Sequence, residues 1–463
     1  MTLIKSISGI RGTIGGTPET NLTPLDTVRF ASAYGTWVKQ TFDNPKIVIG
    51  RDARVSGQMI SDLVSATLVG LGIDVLDLGL STTPTVEMAV VMEQAQGGII
   101  FTASHNPAQW NALKLLNHKG EFISGEAGQI ILEIADKNAF DYAPYDQLGK
   151  ITKDSTYIQK HIDAILKLPY VDVALIRSKN FKIAIDCVNS TGGISLPPLL
   201  AQLGVSQVKS LYCEPNGLFP HNPEPLAEHL TELCALVVEG NYDMGITVDP
   251  DVDRLAFVSE NGEMFGEEYT LVAVADFMLD LKVGNTVSNL SSSRALRDLT
   301  KQKGGKYTAS AVGEVNVVAE MKRTNAVIGG EGNGGVILPE LHYGRDSLVG
   351  IALFLTHLAK KNTTLSALKA SYPQYFISKN KIDLTPNLDV DLILQKVEEF
   401  YIEEEVSTID GVKIDFEEGW VHLRKSNTEP IIRVYSESKN EQEANDLAQS
   451  VIDIVKKVSA QLA

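Results

Sequence analysis

Cysteine is scarce in this 463-residue chain: Cys187, Cys213 and Cys234 are the whole set, scattered and with no CxxC pair. A disulfide framework or a zinc-thiolate site is therefore not expected, and a reducing compartment fits. Long apolar runs are lacking too, and none approaches the ~18 residues of a membrane span. The opening MTLIKSISGIRGTIGG has neither a long apolar core nor a small-residue cleavage site. No signal peptide is expected, and the expected location is the cytoplasm. Positive charge is in deficit, with 41 Lys and Arg against 58 Asp and Glu, a formal net charge of −17. Nucleic acid and anionic membrane are thus not expected as partners. Any anionic substrate must be met by cations gathered locally.

What is present is an architectural repeat. The stretches PKIVIGRDAR (45–54), FKIAIDCVNSTGG (181–193) and NTVSNLSSSRAL (285–296) each read as a buried parallel strand ending in a polar turn. Each is followed by a helix-length stretch, a second strand (GIDVLDLG, VSQVKSLY, GKYTASAV), another such stretch and a third strand. The third strands run into FTASHNP, VDPDVDR and GGEGNGG, the most unusual loops of the chain. Strands alternating with helices predict parallel βαβ units, whose ligands bind at strand carboxyl ends. From about residue 370 the pattern changes to an alternating hairpin-like stretch and then a helical period, predicting a smaller α+β domain after a linker near Ser371-Tyr372-Pro373.

In DPDVDR, Asp249, Asp251 and Asp253 stand at alternating positions. Three such close carboxylates repel one another unless a cation offsets them, and oxygen-only ligands suit Mg²⁺. A calcium EF-hand is rejected, because Arg254 occupies the position that needs glycine and the flanks read as strands. GGEGNGG has the glycine spacing of a dinucleotide fingerprint, but Pro339 blocks an immediate helix and no acid follows on a later strand. Glu331 and Asn333, held there on a mobile backbone, are instead candidates for sugar hydroxyls. Arg424, Ser426, Asn427, Thr428 and Arg433 in RKSNTEPIIR supply guanidinium forks and hydroxyl and amide donors suited to a phosphate dianion. Ser104 lacks the flanks of a hydrolase elbow. Beside a magnesium loop and a phosphate clamp, it reads best as a serine that carries a phosphoryl group.

Together, SGIRGT, TASHNP, DPDVDR, GEGNGG and RKSNTEP resemble, in order and over nearly the whole chain, the motifs of the α-D-phosphohexomutases. The resemblance implies three similar α/β domains and a smaller C-terminal α+β domain around a central cleft. The corresponding bounds are 1–152 with the phosphoserine loop, 153–258 with the metal loop, 259–370 with the sugar loop and 371–463 with the phosphate clamp. It implies that Ser104 is phosphorylated and that its phosphate, with Asp249, Asp251 and Asp253, holds one Mg²⁺. It places Glu331 and Asn333 on the sugar, and Arg424, Ser426, Asn427, Thr428 and Arg433 on the non-reacting phosphate. Arg11, His105, Lys114 and Arg254 match positions that the family has around the transferring phosphoryl group, which makes Lys114 the candidate general acid/base. The resemblance further implies a sugar bisphosphate as both primer and intermediate.

SNTEP resembles the phosphate loop of phosphoglucosamine mutases, which points to glucosamine 6-phosphate and glucosamine 1-phosphate. Glucose or mannose phosphates are the alternative. A metal-dependent phosphatase, with water as acceptor, and a non-catalytic sugar-phosphate binder are the rivals from other classes.

Overall fold

A computed structural model of the chain describes residues 2–6, 9–383, 389–425 and 431–462. Contacts divide it into two compact units, Met1–Phe277 with Asn333–Lys369, and Met278–Gly332 with Ala370–Ala463.

The first unit contains two of the three predicted repeats. Lys46–Arg51, Asp74–Leu80 and Gly97–Phe101 are adjacent parallel strands, crossed over by helices Gly57–Gly70 and Thr83–Met92. Trp110–Leu116 returns antiparallel beside Gly97–Phe101, and Gly9–Thr13 pairs with it in turn. Gly97–Phe101 is buried along its whole length, which explains its unbroken apolar sequence. Ile47, Ile49, Ile99, Phe101, Leu113 and Leu115 form the core with Phe30, Ile60 and Val64. The second sheet has Lys182–Asp186 between the parallel strands Gln207–Leu211 and Met244–Val248. Leu255–Ser259 closes it antiparallel. Helix Ser347–Lys361 is buried on nearly all sides, and its Phe354 stacks on Phe257 at 3.9 Å between ring centroids.

In the second unit, Asn285–Asn289 lies between the parallel strands Tyr307–Ser310 and Ala326–Glu331, the third repeat. A five-stranded antiparallel sheet follows, in the order Phe376–Asp383, Ile431–Ser438, Trp420–Lys425, Val412–Asp415 and Glu405–Ser407. Val421, Leu423, Ile432 and Val434 meet Val451 and Val455 of helix Glu441–Leu462 in its core. The stretch from 412 to 438, which reads as one hairpin, is three strands, because Phe416–Gly419 makes an additional reversal between Asp415 and Trp420.

One local expectation changes. The stretch GGEGNGG reads as a glycine loop throughout, yet its first three residues finish the strand Ala326–Glu331 and Glu331 is buried. The carboxylate of Glu331 accepts from Asn289 Nδ2 at 3.0 Å and from Gly313 N at 3.2 Å, so its backbone is not the mobile one expected. A strand, Gly335–Ile337, and not a helix, follows the last glycines, as Pro339 requires. Gly334 has φ +85, and a Cβ there would lie 2.1 Å from the Leu255 carbonyl oxygen. Only glycine lets this turn dock on the strand behind the acidic loop.

Candidate active site

The first unit brings together the strand-end serine and the three aspartates. Ser104 Oγ donates to Asp249 Oδ2 at 2.7 Å across 145 residues of sequence, and both residues are buried. Ser104 stands three residues past strand Gly97–Phe101 with a left-handed backbone, φ +51. That conformation costs a non-glycine residue roughly 1–3 kcal/mol and persists only where the surroundings impose it.

Arg54 imposes it. Its guanidinium donates to the carbonyls of Ser104 at 2.5 Å, Asn106 at 2.6 Å, Pro107 at 2.7 Å and Trp110 at 2.9 Å, and to Asp52 Oδ2 at 3.0 Å. All five N–H groups of the fork are thereby satisfied. Asp52 also accepts from Thr102 Oγ1 at 2.7 Å, and Thr102 Oγ1 in turn accepts from Ser104 N at 2.9 Å. Burial pushes the Asp52 carboxyl up, and the Arg54 charge offsets part of that shift. One buried ion pair therefore sets the curvature of the whole serine loop.

Asp249, Asp251 and Asp253 are fully buried, and each offers an oxygen within 4.8 Å of the others'. The intervening Val252 has φ +64, an outlier for a β-branched residue, in a turn that keeps the acids in one cluster. Asp249 Oδ1 accepts the backbone N–H groups of Asp253 and Arg254, both at 3.1 Å. Thr83 Oγ1 donates to Asp251 Oδ2 at 2.6 Å, and Arg345 donates to Asp253 Oδ2 at 2.7 Å. Lys114 Nζ, on strand Trp110–Leu116, reaches Asp251 Oδ2 at 2.7 Å and Asp253 Oδ2 at 3.4 Å. Among the described residues, Asp251 Oδ1 and Asp253 Oδ1 are buried and accept no hydrogen bond. Two orphaned carboxylate oxygens in a buried triad are what an oxygen-ligated cation would satisfy.

The electrostatics show what it costs to pack three carboxylates together in the interior. Burial and then repulsion from Asp251 and Asp253 push the Asp249 carboxyl well up. Burial pushes Asp251 the same way, but the Lys114 ammonium and hydrogen bonds from Lys114 and Thr83 outweigh it and hold Asp251 below the usual carboxylate range. Burial disfavours the Lys114 cation, yet Asp251 and Asp253 more than compensate and raise its pKa.

Around this acidic cluster lie the cations that the overall charge requires. Arg11 donates to Asn106 Oδ1 at 3.1 Å. Burial and the neighbouring Arg254 both lower the pKa of Arg11, so two guanidiniums crowd one another. Arg254 reaches Glu224 at 3.4 Å, while its buried Nε has no partner among the described residues. The His105 ring lies 3.4 Å from Ser104 Oγ through Nδ1. Burial, with Arg254, Arg11 and Arg345 nearby, holds it down to about 2, so it is neutral. Crowded cations with an unused donor are what an anion beside the serine would satisfy.

In the second unit, Arg424 lies directly opposite Arg433 across two strands, and Arg433 lies directly opposite Lys381 on the next. Three cations abreast on one sheet face repel one another unless an anion joins them. Asp410 takes up part of this charge, pairing with Arg424 Nε at 2.9 Å and accepting from Val312 N at 3.0 Å. Ser426, Asn427 and Thr428 lie outside the described residues.

Sequence profiles described as phosphoglucomutase/phosphomannomutase match in order along the chain. Alpha/beta/alpha domains I, II and III cover residues 3–142, 159–262 and 266–375, and the C-terminal domain covers 382–454. The chain belongs to the phosphoglucomutase/phosphomannomutase family. It is thereby a phosphohexomutase, an isomerase that moves a phosphoryl group within one sugar. A Thermococcus kodakarensis relative named phosphoglucomutase/phosphomannomutase is 36% identical over 442 residues, 94% of this chain and 96% of the relative. A Sulfurisphaera tokodaii relative named phosphoglucosamine/phosphogalactosamine mutase is 32% identical over 454 residues, 96% and 98% of the two chains. The crystal structure of a family protein from Burkholderia thailandensis shares the fold, with a TM-score of 0.83 at 23% identity over 99% of this chain and 98% of that one.

Three residues that touch this centre are missed by motif reading, namely Arg54, Thr83 and Arg345. Arg54 does carry a signal, a charged GRDAR turn straight after an apolar strand. Thr83 and Arg345 reach the acids from 168 and 92 residues away, separations that no local motif encodes.

Proposed function

We propose that this phosphohexomutase interconverts glucosamine 6-phosphate and glucosamine 1-phosphate, with Ser104 as its phosphoryl carrier. The observation that carries the reading is the 2.7 Å contact of Ser104 Oγ with Asp249 inside a triad that has two orphaned oxygens. In this reading the Ser104 phosphate and Asp249, Asp251 and Asp253 hold one Mg²⁺, which when bound neutralises charge on the phosphoryl oxygens.

The residues of the chain supply the rest. A sugar hydroxyl attacks phosphorus as the Ser104 Oγ–P bond breaks, and the hydroxyl proton ends on Ser104 Oγ. Arg11 and Arg254 offset the charge of the moving group. Lys114, held as a cation, is the proton carrier, protonating the oxygen that leaves phosphorus and recovering the proton from the attacking hydroxyl. His105, neutral and next to Ser104, orients the serine. The bisphosphorylated sugar then turns, and its other phosphate returns to Ser104. Arg424, Ser426, Asn427, Thr428 and Arg433 hold the non-reacting phosphate, while Glu331 and Asn333 bind the sugar hydroxyls.

The amino-sugar assignment rests on the TEP sequence at 428–430 and on the name of the S. tokodaii relative. The T. kodakarensis relative's name supports a second reading, glucose or mannose phosphates. We further propose the four domains 1–152, 153–258, 259–370 and 371–463, and a cytoplasmic location. Among the described residues no helix is long and apolar enough to cross a membrane.

The test is a phosphorus NMR time course with Mg²⁺, a trace of sugar bisphosphate and glucosamine 6-phosphate. A new anomeric phosphate signal without orthophosphate is expected. Orthophosphate alone would establish a phosphatase. Conversion only of glucose 1-phosphate or mannose 1-phosphate would establish the second reading.

A further inference from the structure

A histidine pair, His161 buried and His342 partly so, lies behind the acidic loop and takes no part in the chemistry described so far. His161, on helix Tyr157–Leu166, is fully buried, and its Nε2 lies 2.9 Å from Asp346 Oδ2. His342 Nε2 meets the same oxygen at 3.2 Å, and its Nδ1 lies 3.4 Å from Glu87 Oε2. The two rings are edge to face at 6.1 Å.

Both ends of this cluster are helix starts that grip the acidic loop. Asp346 caps helix Ser347–Lys361, its Oδ1 accepting Leu348 N at 2.8 Å and Val349 N at 3.3 Å. The first residue of that helix, Ser347, donates its N–H to the Val252 carbonyl at 3.2 Å, and Arg345 holds Asp253. Thr82 caps helix Thr83–Met92, its Oγ1 accepting from Thr85 N at 3.1 Å. The first residue of this second helix, Thr83, donates its N–H to the Asp251 carbonyl at 2.9 Å and its hydroxyl to the Asp251 side chain. In each case a helix N-terminal N–H, free of any intrahelical partner, is spent on the loop.

His161 joins the two caps. The Thr82 hydroxyl donates to Thr85 Oγ1 at 2.7 Å, and Thr85 Oγ1 lies 3.0 Å from His161 Nδ1. The chain of contacts is continuous, from Thr82 through Thr85 Oγ1 to His161 Nδ1 and from His161 Nε2 to Asp346. His342 spans the same gap one turn along, from Asp346 to Glu87 on helix Thr83–Met92. Gly344 makes room for that contact, since a Cβ there would sit 1.8 Å from Glu87 Oε2.

We propose that His161 and His342 are positioning residues, struts that fix the spacing of the two helix starts and so hold Asp251 and Asp253 in the geometry that binds the divalent cation. The inference rests on the metal reading above. Among the described residues, the imidazoles meet Thr85, Asp346 and Glu87 and not Asp249, Asp251 or Asp253.

The experiment measures Mn²⁺ binding, by electron paramagnetic resonance of free Mn²⁺, to the full chain and to His161→Leu, His161→Gln, His342→Leu and Thr85→Val. The leucine variants are expected to bind Mn²⁺ on the order of 10-fold more weakly, as losing a residue that orients metal ligands does. His161→Gln restores a donor toward Asp346 and is expected to recover most of that loss. Thr85→Val, which deletes one hydroxyl, tests the same strut should His161→Leu not fold, with a loss of roughly 3-fold expected. Unchanged Mn²⁺ affinity with only a lower melting temperature would overturn the proposal. One zinc per chain by plasma mass spectrometry, lost in His161→Leu, would overturn it too, by making the imidazoles ligands of a separate metal. Failure of the unaltered chain to bind Mn²⁺ would remove the metal reading itself and this inference with it.

Discussion

The serine–aspartate centre of the first unit and the cation row of the second handle charge in opposite ways. In the first, acids and bases are buried and over-determined: Arg54 uses all five donors, and Asp249 holds Ser104 while accepting two backbone N–H groups. In the second, Lys381, Arg433 and Arg424 stand abreast, with Lys381 and Arg433 exposed and Asp410 paired with Arg424. The difference teaches where each site spends its organisation. A centre that breaks bonds has its charges placed before the substrate arrives, because preorganised dipoles need no rearrangement at the transition state. In the proposed role, a clamp that accepts, releases and re-accepts a phosphate as the sugar turns is served by cations kept near water, where exchange is fast.

The sharpest way to break the comparison is Ser104→Ala. It removes the carrier itself, and turnover is expected to fall by roughly 10³-fold or more with the fold intact, as when a nucleophile is deleted. Full mutase activity in that variant would end the phosphoserine reading. Next is Arg54→Met, which leaves Asp52 buried and uncompensated and frees the serine-loop carbonyls. A loss of about 3–5 kcal/mol in unfolding free energy is expected by urea titration, whereas a loss under about 1 kcal/mol would mean that the loop holds its own shape.

On the other side of the comparison, Arg424→Gln is expected to raise KM about 10-fold while kcat changes little, because it weakens a charge-assisted phosphate contact and leaves the reacting group alone. An equal fall in kcat with KM unmoved would place Arg424 in the chemical step instead. The smallest effect is expected for Lys381→Gln, a rise of ~3-fold in KM that fades at high salt, as for an exposed cation. No change at low salt would exclude Lys381 from the anion site.

Much of the centre was legible because it is local in sequence. Asp249, Asp251 and Asp253 lie within five residues, and their mutual repulsion points to a cation before any coordinate is known. The strand-end position of Ser104 follows from the apolar run before it. Glu331 was read as part of a mobile glycine loop, whereas it ends a strand and is held by Asn289 and Gly313. The glycine spacing suggested a turn, and the sheet overrode it with ladder hydrogen bonds. The antiparallel sheet hid a different feature, since Lys381 lies 52 residues before Arg433 and only pairing register puts them side by side.

The sequence by itself determined the βαβ repeats, the acidic triad, the strand-end position of Ser104 and the family, because strand periodicity, close charge spacing and turn chemistry act over a few residues. The tertiary structure alone decided that Arg54 shapes the serine loop, that Thr83 and Arg345 brace the acids, and that two histidines join the helix starts behind them. Most of those interactions need groups tens to hundreds of residues apart to meet at 2.5 to 3.4 Å. Only burial in a packed interior both brings them together and, by excluding water, makes each pairing obligatory.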